Sequence, residues 1–351
     1  MKKIILITLL LTVSLALFSA GKTSKPDLKF NQNGKFKIVQ FTDVHFLYNS
    51  AKSDSALALM KTVIAAERPD LVVLTGDIVC SANTAKAWSS LSKILIDSKV
   101  PWTVVLGNHD AQYELSKPEI MKAIVGLPYN LTENGPSDVS GNGNYVLKVA
   151  SSSSPKTAAL LYCLDSHMGF YPKTDLGSYE WIDYSQIMWY RNLSGNFTKQ
   201  NGGTPIPALA FFHIPLPEYK EILSKPTTIG IQKESVCSPD LNSGLFTAML
   251  ECKDIMGMFV GHDHNNNYIG CLHNICLAYG NVTGRQCYGE IGRGARVIEL
   301  YEGERKFDTW VLKLYECDRD KGTWFPSSNT KPQYFVTYPD SFNEIVPVPS
   351  K

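Results

Sequence analysis

Pro101-Trp-Thr-Val-Val-Leu-Gly-Asn-His-Asp110 is the stretch on which the fold reading turns. Its first half is an apolar, β-rich run of the kind that forms a buried strand. The run stops at Gly107, and an amide, an imidazole and a carboxylate follow at once. A strand that ends this way puts polar chemistry on the carboxyl edge of a sheet, where open α/β folds bind ligands. Gly-Asn-His-Asp alone also suits a plain polar turn. The repetition of the same kind of stop along the chain decides between the two.

Working outward, residues 36–41 read as a strand ending at Asp43-x-His45, and residues 71–75 as one ending at Gly76-Asp77. Apolar spacing predicts helices over 54–67 and 85–95, the first stopped by Arg68-Pro69-Asp70. The order β-α-β-α-β implies a parallel sheet with crossover helices. Further strands are expected over 145–149, 158–164, 208–212, 254–260, 275–279, 295–301 and 306–314. A helix over 184–192, opened by Asp183-x-x-Gln186 as a capping box, precedes a polar surface loop at 192–204. Residues 222–243 form a Pro/Ser/Gly-rich excursion that either covers the site or is a passive loop. The tail from Cys317 reads as irregular. Three segments result: 1–20, a main domain over 21–316, and the tail over 317–351.

Five strands thus end in metal-capable groups: Asp43-x-His45, Gly76-Asp77, Asn108-His109-Asp110, His213 and His262-x-His264. Five of the seven histidines fall at these ends, which scattered structural histidines would not do. In an extended segment residues i and i+2 point the same way, so each Asp-x-His or His-x-His pair can converge on one ion. Imidazole, carboxylate and amide donors together suit Zn, Fe or Mn. Asp77 is placed to bridge two ions.

The 351 residues, 44% hydrophobic, suffice for a large core, and a net charge of +1 gives no reason to expect nucleic acid as a partner. Met1-Lys-Lys followed by an apolar run and Ser19-Ala20-Gly21 reads as a secretory signal peptide, so no stable membrane anchor is expected and the mature chain would be secreted or lumenal. The sequons at Asn130, Asn192, Asn196 and Asn281 are glycosylation candidates in that compartment. Eight cysteines form no close C-x-x-C pair. Cys271–Cys276 is a candidate short disulfide loop, while Cys80 and Cys163 fit buried free thiols.

In order and spacing, Asp43-x-His45, Gly76-Asp77, Gly107-Asn-His-Asp110, His213 and Gly261-His-Asp-His264 resemble the calcineurin-like metallophosphoesterases, over roughly residues 36–300. Trp181-Ile-Asp-Tyr-Ser-Gln186 with Trp189-Tyr190, Asn242-Ser-Gly244 and Arg293-Gly-Ala-Arg-Val-Ile-Glu299 are similar to the small, single-domain group named purple-acid-phosphatase-like. The resemblance implies a four-layer α/β/β/α sandwich of two mixed sheets flanked by helices. It assigns one ion to Asp43, His45 and His264 and a second to Asn108, His213 and His262, with Asp77 bridging. It places His109 near the leaving-group oxygen and Asp110 in a supporting layer. It implies hydrolysis of a small phosphorylated substrate, a phosphomonoester first, by in-line attack of a hydroxide bridging ions about 3.5–4 Å apart. A phosphodiesterase on nucleotides or lipid head groups is the enzyme alternative, and a silent binding protein of the same fold the other.

One position departs from the pattern. Purple enzymes carry Gly-Asp-x-x-Tyr, whose tyrosinate colours a ferric ion, and here that position is Cys80. His167, Arg293 and Arg296 fit structural roles at least as well as substrate contacts. The aromatic segment 181–190 fits core packing.

Overall fold

The computed structural model describes residues 25–318, 323–327 and 330–342. The signal-peptide reading over 1–20 falls outside them. Among the described residues no helix is long and apolar enough to cross a membrane.

Strands in the described residues form two seven-stranded mixed sheets and one hairpin. The first sheet runs in the order Leu28–Lys29, Tyr145–Ala150, Thr157–Cys163, Ala208–Phe211, Ile255–Val260, Ile275–Tyr279, Ile269–Leu272. The second runs Thr323–Pro326, Phe307–Asp318, Arg293–Tyr301, Lys35–Phe41, Leu71–Thr75, Trp102–Val105, with Gln333–Tyr338 also paired to Phe307–Asp318.

Side-chain alternation explains the layering. Leu71 and Val73 point one way, with Leu161, Phe211 and Phe259 of the other sheet, into a shared inner core. Val72 and Leu74 point the other way, onto helices Ala51–Glu67, Thr84–Ser98 and Lys117–Ile124. Leu160 and Tyr162 likewise face helices Tyr184–Gln200 and Leu245–Cys252, while their neighbours Leu161 and Cys163 face inward. Both faces of each sheet are therefore covered, and the central strands read as continuous apolar runs for that reason. The expected four-layer α/β/β/α sandwich is the architecture found, with large mixed sheets and helices outside.

The core strand and helix expectations hold, and the differences have local causes. The helix expected to end at residue 192 continues to Gln200. Trp189, Leu193 and Phe197 repeat every four residues and pack on the outer core, so the apolar face outlasts the polar composition. The Gly/Tyr-rich loop before Asp183 contains a hairpin, Gly169–Thr174 with Gly177–Tyr179. Ile269–Leu272 pairs antiparallel with Ile275–Tyr279, and the Cys271–Cys276 disulfide lies in that register. The tail read as irregular holds two strands that extend the second sheet, Thr323–Pro326 and Gln333–Tyr338. Gln333–Tyr338 supplies a backbone ladder and the buried Val336 and Tyr338.

Two of the four sequons are misread as glycan sites. Asn130 and Asn281 are buried, and their amide nitrogens donate to the carbonyls of Ile124 and of Val282 and Gly292. A glycan there would replace those hydrogen bonds and have no room. Asn192 and Asn196 stand one turn apart on the exposed face of helix Tyr184–Gln200, where a glycan fits.

Candidate metal centre

Strands Lys35–Phe41, Leu71–Thr75 and Trp102–Val105 are mutually parallel, as are Thr157–Cys163, Ala208–Phe211 and Ile255–Val260 in the other sheet. The loops that leave these strands meet across the two sheets. Gln40 ties the sheets below them, its amide donating to Thr75 Oγ1 and to the Val260 carbonyl. The His213 ring reaches across as well, with Nδ1 2.8 Å from the Thr75 carbonyl. A carbonyl only accepts, so Nδ1 carries the proton there and Nε2 is left to face the site.

The ligand loops fold tightly. Asp43, His45, Asp77 and His262 all have positive φ, at 52°, 45°, 53° and 80°. Each such residue costs on the order of 1–2 kcal/mol relative to ordinary backbone. Convergence therefore comes from left-handed turns and not from the extended i, i+2 alternation that the sequence suggested. Two glycines make room for it. A Cβ on Gly76, itself at φ +81°, would lie 2.4 Å from the His213 ring, and one on Gly261 would lie 1.9 Å from Thr42 Oγ1.

Six of the seven expected donors fall into two overlapping groups. Ligand atoms of Asp43, His45, Asp77 and His264 lie within 4.8 Å of one another, and so do those of Asp77, His213 and His262. Asp77 belongs to both. Its Oδ2 lies 3.2 Å from His213 Nε2 and 3.6 Å from His45 Nε2. His264 Nε2 is 3.3 Å from Asp43 Oδ1 and 3.2 Å from His45 Nε2. Asn108 is buried, and neither its amide oxygen nor its nitrogen has a partner. Asp77 Oδ2, His213 Nε2 and His262 Nε2 are likewise buried without a hydrogen bond of acceptable geometry. Orphaned buried polar atoms are costly, and the carboxylate oxygen and two imidazole nitrogens that lie together here, with the Asn108 amide oxygen as a further candidate, fit cations.

The electrostatics are those of buried carboxylate–imidazole pairs: burial would lower His213 and His264, but Asp77 raises the first to about 9 and Cys287 and Asp43 raise the second, so an ion that binds there displaces their protons. Burial alone would raise Asp77 and Asp43, but His213 beside the first and His264 beside the second hold both carboxyls below their ordinary value. Burial lowers His262 to about 3 and His45 to about 4, so both stay neutral and able to donate a lone pair.

Asp110 supports the site from behind. Its Oδ2 accepts from the backbone N–H of Asp77 and Gly107 at 2.9 and 2.7 Å, and its Oδ1 from Ile78 and Val79 at 2.8 and 2.9 Å. It thereby fixes the Asp77 turn and does not touch the His109 ring. His109 is oriented by Gln112, whose Oε1 lies 2.7 Å from Nδ1, and its own N–H donates to Asp77 Oδ1 at 2.8 Å. Cys80 stands behind His45, with Sγ 3.1 Å from Nδ1, on the ring edge away from the other donors.

A cleft of about 310 Å³ opens over the groups, and His45, Asp77, His109, His262 and His264 line it. Tyr179, Cys237, Asp263, Cys287 and Tyr288 complete its wall, and none of these was singled out from sequence. Asp263 lay inside a quoted motif, which was the available signal. Tyr179 comes from the unforeseen hairpin and Tyr288 from a loop beyond the last motif. Cys237 belongs to the 222–243 excursion, which is drawn in by Asn266 and Asn267 accepting from its backbone at Ile231, Lys233 and Glu234. That excursion is a wall of the site.

The other candidates are structural. Arg293 and Arg296 are fully buried and donate to main-chain carbonyls. His167 lies outside the cleft lining, with Nε2 2.6 Å from Gln186 Oε1, beside a buried Lys117–Asp165 ion pair of 2.6 Å. Trp189 and Tyr190 pack edge-on against Tyr162.

A family model described as calcineurin-like phosphoesterase matches residues 36–266. The chain is 35% identical to the Arabidopsis thaliana protein named probable inactive purple acid phosphatase 29, over 81% of each chain. It is 32% identical to Phosphatase DCR2 of Saccharomyces cerevisiae, over 82% of this chain and 55% of that one. A dimetal phosphatase from Danio rerio shares the fold with a TM-score of 0.57 at 14% identity, over 79% of this chain and 95% of that one. Sheet order, strand-end loops and these matches agree, and the chain belongs to the calcineurin-like phosphoesterase family.

Proposed function

We propose that this protein is a secreted binuclear metallophosphatase acting on small phosphomonoesters. The observation that carries the reading is the pair of carboxylate–imidazole groups that share Asp77, with Asp77 Oδ2, His213 Nε2 and His262 Nε2 buried and without a hydrogen bond. Asp43, His45 and His264 would hold one ion, Asn108, His213 and His262 the other, and Asp77 both. When bound, the ions supply Lewis-acid neutralisation of phosphoryl charge and a nucleophile drawn from water.

The chain's own residues do the rest. Asp110 keeps the Asp77 turn fixed, so the bridging carboxylate needs no reorganisation. His109, positioned through Gln112 and Asp77, has its Nε2 edge available to give a proton to the departing oxygen. Among the described residues that line the cleft there is no Lys or Arg. A single phosphoryl group, met by two ions and His109, suits such a wall better than a polyphosphate. The name of the Arabidopsis relative speaks for a silent protein of this fold, but loss of function in such a site is expected to begin with loss of a donor, and all seven are present.

Metal analysis of the purified protein, with turnover of a panel of phosphomonoesters and phosphodiesters over a range of pH, tests the reading. Two ions per chain with monoester hydrolysis is expected. Two ions without turnover would favour the binding protein, and faster diester cleavage the phosphodiesterase.

A further inference from the structure

Cys287 has no part in the seven-donor set, yet its sulfur lies among those donors. Its Sγ and a ring nitrogen of each of His45 and His264 lie within 4.8 Å of one another. These two imidazoles already face each other, and Asp43 Oδ1 stands beside them. The sulfur also has backbone oxygens within S–H reach, Gly284 at 3.4 Å and Asp43 at 3.6 Å. They are weak anchors for an S–H donor.

The position is fixed by other means. Gly284 N–H donates to the Asp43 carbonyl at 3.0 Å, and a Cβ at 284 would lie 2.0 Å from the Val44 carbonyl oxygen. The loop that carries Cys287 is thus pressed onto the loop that carries Asp43 and His45. From behind, the buried Arg293 guanidinium donates to the carbonyls of Gly284, Cys287, Tyr288, Gly289 and Ile291. Next to it the Tyr288 ring stacks on His264, with centroids 4.1 Å apart. A cysteine held this firmly beside two imidazoles and a carboxylate is placed to add a sulfur to a coordination shell.

We propose that Cys287 is a thiolate ligand to the ion held by Asp43, His45 and His264, and that it makes this position selective for zinc. The inference rests on the binuclear reading above and deepens it. With Asp77 shared, two carboxylates, two imidazoles and one thiolate would face this ion, and the soft sulfur among them favours zinc over harder divalent ions. The Asn108, His213, His262 position has no sulfur and keeps the broader tolerance of nitrogen and oxygen donors. Ligation replaces the S–H bond by an S–metal bond, and the proton leaves to solvent.

X-ray absorption at the zinc edge of the zinc-loaded full chain tests this without reference to turnover. One sulfur at about 2.3 Å per two zinc ions is expected, distinct from the nitrogen and oxygen shell at about 2.0–2.1 Å. Cys287→Ser should lose that sulfur and bind one of its two zinc ions at least tenfold more weakly, whereas Cys80→Ser should keep both features. Zinc should also protect Cys287 from alkylation by iodoacetamide, read by peptide mass spectrometry, so the assignment stands even where the serine variant does not fold. Two bound zinc ions with no sulfur, a sulfur shell that survives Cys287→Ser, or undiminished alkylation of Cys287 would overturn the thiolate and leave the binuclear reading intact. A chain that binds no zinc at all would overturn both.

Discussion

Asp110→Asn separates the support of the site from the site itself. The substitution changes neither size nor shape, and Asp110 is not one of the seven donors. The wild-type carboxylate accepts four main-chain N–H bonds, two on each oxygen. An asparagine keeps one oxygen. Whichever way the amide turns, two of the four donors face an NH₂ group in a fully buried place. Each orphaned donor costs about 1–3 kcal/mol, so the variant should be less stable by about 2–6 kcal/mol. The turn at Asp77, already held at positive φ, is the segment that would relax. Because Asp77 stands in both groups, affinity for both ions should fall together. Urea denaturation of the metal-free proteins measures the first effect, with the midpoint shifting at unchanged slope. Isothermal titration with zinc measures the second. An unchanged midpoint with two ions bound at wild-type affinity would refute the claim that Asp110 holds the bridging carboxylate in place.

Four further outcomes are expected. Asp77→Asn should bind both ions weakly and lose hydrolysis, and two full equivalents of metal with normal turnover would sink its bridging role. His109→Ala should keep both ions and lose about 10²–10⁴ in rate, with a smaller loss for substrates whose leaving group needs no proton; equal losses for poor and good leaving groups would point to a purely electrostatic role. Cys80→Ser should keep full metal content, because the sulfur meets the far edge of His45, and the wild-type protein should show no purple phenolate–iron band in its visible spectrum. Asp165→Ala leaves Lys117 buried without its carboxylate and should cost about 3–5 kcal/mol at neutral pH. Burial would raise Asp165, but Lys117 outweighs it and holds the carboxyl below its ordinary value. That contribution is therefore present above the unfolded carboxyl range near pH 4 and is lost as pH falls through the lower folded value. The stability gap between the two proteins should narrow in acid, and a gap that widens there would contradict the assignment.

Much of this protein was legible without a structure because its central strands are buried on both faces and therefore announce themselves as unbroken apolar runs. Each run stops at a polar loop, and seven donors at those stops suffice to suggest a metal centre and a family. Elements that misled are those whose signal is tertiary. Helix Tyr184–Gln200 continues through polar residues because Leu193 and Phe197 find a core to pack on. Asn130 and Asn281 carry a glycan motif but are buried, and a sequon has no term for burial.

The metal-capable residues at five strand ends, the succession of strands along the chain and the cysteine at position 80 were legible in the sequence alone, since hydrophobic periodicity and residue type are local properties. How the donors converge was decided by the tertiary structure. Asp43, His45, Asp77 and His262 reach the site through left-handed turns that two packed sheets hold in place, where local preference would favour extended backbone. The wall of the cleft belongs to the same level. Tyr179, Cys237, Cys287 and Tyr288 come from three segments with no common motif. Hydrogen bonds that Asn266 and Asn267 accept, and that Arg293 donates, draw these distant loops together.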